Sequence, residues 1–194
     1  MSGVRFLADA LTLSRFALAL RLVWLGSAHG AEGLPRAVVT LILAWATDLA
    51  DGPLARLDRE GRPSWVGRRD LEVDMSVSVG VLCYLTLSRY LPLVIGLSYL
   101  LMAAALLWRF RSGSLANALQ ALPYAVLLVL AARLAPAYAL LAAAWLVWTM
   151  AVTWPRFPKA TAPSFLRGMR QLGRQQGEPQ DGPPFNHVRQ DDQR

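Results

Sequence analysis

Residues 73–108, VDMSVSVGVLCYLTLSRYLPLVIGLSYLLMAAALLW, form two apolar runs joined at Arg89-Tyr90-Leu91-Pro92. Asp74 and Arg89 are the only charged residues in the stretch. The runs are continuous; they neither alternate like a half-buried strand nor repeat at the spacing of an amphipathic helix. Each is near the lower limit of the ~17–25 residues that cross a bilayer. Lipid offers no partner to a free backbone N–H or C=O, so each run must be a helix that satisfies its own. The Arg-Tyr-Leu-Pro break then makes the pair a helical hairpin across a membrane.

Working outward, four further runs have the same character. They cover roughly 11–28 (LTLSRFALALRLVWLGSA), 34–50, 116–133 and 136–154. The chain has 194 residues, of which 55% are hydrophobic and 17% charged, and its mean hydropathy is +0.34. The expectation is an all-α integral membrane bundle of six transmembrane helices over residues 1–154. Alanines in the fourth and sixth runs (MAAALL, LLAAAW) permit close helix–helix approach.

The net charge of +7 fits either a nucleic-acid binder or a membrane protein with basic inner loops. Its distribution decides. The loops after runs one, three and five carry one arginine each: Arg36, Arg89 and Arg133. Those after runs two and four hold Arg56, Arg59, Arg62, Arg68, Arg69, Arg109 and Arg111, and the tail adds Arg156, Lys159, Arg167, Arg170 and Arg174. By the positive-inside rule the N- and C-termini are cytoplasmic, in a bacterial inner (cytoplasmic) membrane. No nucleic acid is needed as partner. Trp24, Trp145, Trp148 and Trp154 fall near run ends, where indoles anchor at the interface. Residues 155–194 turn to Pro, Gln, Gly and charge; this cytoplasmic tail is expected to be largely disordered, with a short basic surface helix near SFLRGMRQLGR. The N-terminus lacks the basic region and cleavage site of a removable signal peptide. Cys83 is expected to be buried and inert, and His29 and His187 solvated.

Between runs two and three the chain reads DLADGPLARLDREGRPSWVGRRDLEVD, residues 48–74. Asp48 and Asp51 are three apart, on one helix face at the end of run two; Asp70 and Asp74 are one turn apart at the start of run three. An ionised carboxylate at membrane depth costs on the order of 3 kcal/mol, and crowded like charges cost more. A divalent cation is the simplest compensation, because an all-oxygen cluster suits Mg2+ or Mn2+. A helix N-terminus favours Asp70 and Asp74 without any metal, with Arg68 and Arg69 to neutralise them. Asp48 and Asp51 resist that account, since the end of a helix disfavours acids. Gly52 and Ala55 leave room beside the cluster, and Arg56 supplies a guanidinium for phosphate oxygens. Together these point to a nucleotide diphosphate substrate.

Asp48-Leu-Ala-Asp51-Gly52-Pro-Leu-Ala55-Arg56 followed by Asp70-Leu-Glu-Val-Asp74 resembles the signature of the CDP-alcohol phosphatidyltransferase family. That signature is Asp-x2-Asp-Gly-x2-Ala-Arg, a spacer, then Gly-x3-Asp-x3-Asp. The first half and the closing Asp-x3-Asp match without a gap. Gly67 departs from the pattern, standing three positions before Asp70 instead of four, and the Arg56–Asp70 spacer is lengthened. The opening DALTLSR, with Asp9, Thr12 and Arg15, is similar to the N-x-L-T-x-x-R of the phosphatidylglycerophosphate synthase branch.

The resemblance implies that Asp48, Asp51, Asp70 and Asp74 hold metal, with two Mg2+ or Mn2+ ions, and that Asp74 is also the catalytic general base. It implies that Gly52, Ala55 and Arg56 accommodate the CDP moiety of CDP-diacylglycerol. The phosphatidyl group would pass to a small alcohol acceptor, with glycerol 3-phosphate the first choice, and CMP would leave. A homodimer in membrane lipid is implied as well. Arg109 and Arg111, on the same side, are candidates for an anionic acceptor's phosphate. Two other readings are a catalytically inactive relative, motivated by the altered spacer, and a small cation-coupled transporter. Against the transporter, the acids sit at one boundary and no charges recur along the other runs to mark a path.

Overall fold

The structure, a computed structural model, describes residues 3–57, 70–110 and 113–153, with side chains at 10, 13–50, 75–110 and 113–153. Six α-helices follow one another: α1 Gly3–Ala28, α2 Leu34–Leu57, α3 Asp70–Leu87, α4 Leu93–Phe110, α5 Gly113–Leu134 and α6 Pro136–Thr153. A 3-10 turn, Gly30–Gly33, joins α1 to α2, and the described residues contain no strand. Four segments are long and apolar enough to cross a membrane: Gly30–Ala50, α4, α5 and α6. That is the composition of a membrane protein. The other two helices differ for visible reasons. Arg15 and Arg21 interrupt α1, and three acids crowd the first turns of α3, leaving a shorter apolar stretch, Met75–Leu87.

Among apolar helices in lipid, packing comes from close contact and hydrogen bonds more than from water exclusion. The bundle centre shows both. Leu22 and Leu25 of α1, Val38 and Leu41 of α2, and Val81 and Tyr84 of α3 are fully buried together. α1 and α3 run parallel and almost touch. A Cβ added at Gly80 would stand 2.8 Å from the Ala19 carbonyl oxygen and 3.0 Å from Ala19 Cα. A Cβ at Gly26, two turns on, would meet Tyr84 Cα and Leu87 Cβ at 3.0 Å. Larger residues at either point would force the helices apart.

At one end the loops are tied together. The Gly30 carbonyl accepts from Tyr84 Oη at 3.2 Å and from Ser88 Oγ at 3.0 Å, and Tyr90 Oη donates to the Ala31 carbonyl at 3.1 Å. Burial pushes the Tyr90 hydroxyl above its ordinary pKa, so it remains a donor. Arg89 takes a left-handed φ of 62° where α3 ends, and Leu91 N–H reaches back to the Leu85 carbonyl. The sequence-predicted break at 89–92 is therefore found. These bonds also put the α1–α2 and α3–α4 connections on the same side, as an up-and-down bundle requires.

α4 and α6 are peripheral. Only Gly96 and Ala103 of α4, and only Ala142 of α6, are buried. One polar contact fixes α4 to α5. Pro123 lies inside α5 and has no N–H to give the carbonyl four residues back, that of Leu119. Tyr99 Oη of α4 donates to that carbonyl at 2.5 Å.

Three details differ from the sequence reading. α2 does not stop near residue 50 but continues through Gly52-Pro53 to Leu57. His29 is half-buried, its ring edge-on to Trp24 at 4.9 Å, and its Nδ1 has no hydrogen-bond partner among the described residues; the indole shields it from water. Cys83 is half-buried rather than enclosed, and is a free thiol. His187, Trp154 and the 155–194 tail lie outside the described residues.

Candidate functional site

Arg15 comes from the middle of α1 and is 1% exposed. A guanidinium removed from water costs several kcal/mol unless it is paired and hydrogen-bonded. Its Nη1 donates to Asp48 Oδ1 of α2 at 2.6 Å, a charge-assisted bond between residues 33 apart in sequence. The Asp48 side chain is 55% exposed, so the pair has one buried member and one that opens outward. An acid within α2 thus pairs with a cation within α1.

Beside this pair is a cavity of about 140 Å³. Arg15 closes it from α1, Ala44, Trp45 and Asp48 from α2, Val77 from α3, and Gln120 and Tyr124 from α5. The rings of Trp45 and Tyr124 meet edge to face, with centroids 5.8 Å apart. Gln120 Nε2 is buried and has no hydrogen-bond partner among the described residues. Four helices therefore meet around a polar hollow inside an otherwise apolar bundle.

Helix register relates the other aspartates to this hollow. Asp51 follows Asp48 by three positions and shares its face of α2. Asp74 precedes Val77 by three positions and Asp70 precedes it by seven, so both fall on the α3 stripe that carries Val77. Asp70 is the first residue of α3 and Asp74 lies one turn in, where the helix dipole favours acids. The expectation that Asp48 and Asp51 close α2 is not met. Because that helix runs on to Leu57, Asp48 and Asp51 are not in its last turn, and the macrodipole, which acts over the terminal turn, does not disfavour them. Asp48 is held by its ion pair with Arg15.

Gly52, Ala55 and Arg56 lie in the last two turns of α2. The side chains of Asp51, Arg56, Asp70 and Asp74, like Gly67 and Arg111, lie outside the described residues. Arg109 is in the last turn of α4, exposed, with its guanidinium carbon 5.4 Å from the Phe110 ring centre. Among the described residues no three His, Cys, Asp or Glu side chains group together; of the four aspartates, only Asp48 has a described side chain. Carboxylates at Asp-x2-Asp and Asp-x3-Asp spacing are the donor chemistry for Mg2+ or Mn2+, and the Asp48 carboxylate, open on one side, fits such a role.

Trp45, Gln120 and Tyr124 were not singled out by sequence. The available signal was Gln120, an amide within an apolar run, where a polar group demands a partner. Comparison of the chain with protein-family models, with curated proteins and with solved structures gives no match.

Proposed function

We propose that this chain is a metal-dependent CDP-alcohol phosphatidyltransferase that spans the bacterial inner membrane six times, with both termini and the acidic cluster on the cytoplasmic side. The observation that carries the reading is Asp48. It opens a nine-residue match to the family signature and lines a polar hollow where α1, α2, α3 and α5 meet. Helix register extends its stripe to Asp51, and Val77 on the facing wall shares its stripe with Asp70 and Asp74.

In this reading Asp48, Asp51, Asp70 and Asp74 hold Mg2+ or Mn2+. Bound there, the ions neutralise and align the diphosphate of the donor. Gly52 and Ala55 leave space for the CMP portion of CDP-diacylglycerol, and Arg56 takes its phosphate oxygens. The Asp74 carboxylate accepts the proton of the acceptor hydroxyl. The acceptor oxygen bonds to the phosphorus nearer the lipid, the bond from that phosphorus to the CMP oxygen breaks, and CMP carries away the electron pair. Positioning and charge stabilisation dominate such transfers. Arg109 and Arg111 are candidates for the phosphate of an anionic acceptor such as glycerol 3-phosphate. The family resemblance suggests a homodimer, and a homodimer is proposed here.

A relative without turnover is the second reading, favoured by the position of Gly67. One assay separates the two. Purified full-length protein in lipid nanodiscs receives Mn2+, CDP-diacylglycerol and glycerol 3-phosphate. CMP release that stops when the metal is chelated, and that Asp74→Asn reduces at least a thousandfold, is the expected result. No CMP with any of glycerol 3-phosphate, serine or inositol phosphate would leave the inactive relative; wild-type release by Asp74→Asn would remove Asp74 as base.

A further inference from the structure

α1 carries two arginines within its apolar length, six positions apart and so on different faces. Arg15 shares the inner stripe with Ala19 and Leu22, all buried against the bundle, and Asp48 meets its guanidinium. Arg21 faces the other way. It is exposed, and its neighbours on that face, Phe16, Leu20 and Trp24, are each at least 50% exposed. The acids among the described side chains are Glu32 and Asp48, and neither pairs with Arg21.

Depth makes this exposure costly. Leu22 and Leu25 pack with Val38 and Leu41 of α2, so α1 lies alongside the apolar span that begins at Gly30. Arg21 stands nine residues before Gly30, about 13 Å along a helix axis, in a hydrocarbon slab about 30 Å thick. Arginine keeps its charge in proteins, and near the middle of a lipid-facing helix that charge costs on the order of 3 kcal/mol. The Cα–Cβ bond of a helical residue tilts toward the N-terminus, here away from the nearer surface, so the side chain covers only part of the distance. An anion drawn inward removes most of the cost.

From this geometry we infer that Arg21 and Trp24 form a headgroup site for an anionic phospholipid of the leaflet on the side of the α1–α2 turn. The guanidinium fork takes two phosphate oxygens. Trp24 stands one turn nearer the surface, its ring held edge-on by His29 at 4.9 Å, and its indole N–H serves a headgroup or ester oxygen. The acyl chains run inward along Leu20 and Phe16. Phosphatidylglycerol fits because its phosphate charge is uncompensated, whereas phosphatidylcholine balances its own. The inference needs α1 to lie in the membrane and stands apart from the transferase reading.

Two measurements on the full-length protein test the site, and neither needs turnover. First, native mass spectrometry follows binding of dioleoylphosphatidylglycerol and, separately, dioleoylphosphatidylcholine to detergent-purified protein. Wild type is expected to hold the first at least tenfold more tightly. Arg21→Gln should weaken the tightest phosphatidylglycerol about tenfold. Arg36→Gln, which removes an equal charge near the same turn, should change it less than twofold. Second, thermal unfolding is compared in nanodiscs of phosphatidylcholine alone and of a phosphatidylcholine–phosphatidylglycerol mixture. Arg21→Leu should raise the Tm in phosphatidylcholine, and the gain should fall by at least half in the mixture. Equal wild-type affinity for the two lipids, no greater loss in Arg21→Gln than in Arg36→Gln, or the same Tm gain in both nanodiscs would overturn the site. So would a shift from dimer to monomer in Arg21→Gln, which would assign the guanidinium to a second copy of the chain.

Discussion

Among the described residues, Arg15 is the one charged side chain that is buried, and its ion pair with Asp48 offsets part of the cost of that burial. Asp48→Leu would take a charge-assisted partner from a buried guanidinium. The expected loss is about 2–3 kcal/mol, below the ~3–5 kcal/mol of fully buried pairs because Asp48 is 55% exposed. Arg15→Met in the same chain removes the stranded charge and should recover more than half of that loss. Unfolding of the two single variants and the double variant in detergent measures the coupling; strictly additive losses would mean that the pair contributes nothing. The sequence announces the two residues unequally. Asp48 stands out at once, an acid at the end of an apolar run, while Arg15 draws notice only through the DALTLSR opening. Nothing local joins residues 33 apart, because their meeting depends on how α1 leans on α2. For the same reason Gln120 could be seen as an amide in apolar company, but not as one wall of a hollow.

At the scale of helices, continuous apolar runs separated by a Pro- or Arg-bearing break left little ambiguity, and all six helices are found. The ends were harder to read. Gly52-Pro53 has the character of a helix stop, yet α2 passes through it, so Asp51 does not stand at a helix C-terminus. Pro123 is the converse case. It is plain in the sequence, but the hydroxyl that takes over the Leu119 carbonyl comes from α4 and could not be named in advance. Tyr99→Phe should cost about 1–2 kcal/mol by leaving that carbonyl buried and unpaired. Pro123→Ala restores an N–H four residues along and should cancel most of the cost in the double variant. Thermal unfolding in nanodiscs reads the cycle; an equal loss with and without the proline would show that Tyr99 acts through packing and not through this bond.

For the whole molecule, the proposed six spans put the turn after α1 and the connection between α4 and α5 on opposite faces of the membrane. In a Cys83→Ser background, Glu32→Cys should react with an impermeant maleimide only from the periplasmic side, and Ser114→Cys only from the cytoplasmic side. Labelling of both from one side would break the six-span arrangement. Charge distribution is what supports this orientation, since arginines are counted without knowing any contact. The asymmetry of the bundle was not legible, because α4 and α6 are as apolar as their neighbours yet bury little within the chain. Each of these two outer helices has 18 residues, about 27 Å of length if upright, against a hydrocarbon slab of about 30 Å. They have no slack to absorb by leaning over. A thicker bilayer would have to pinch inward around them, so the surrounding membrane's thickness presses first on the outer helices and reaches α5 along the face of α4 that carries Tyr99.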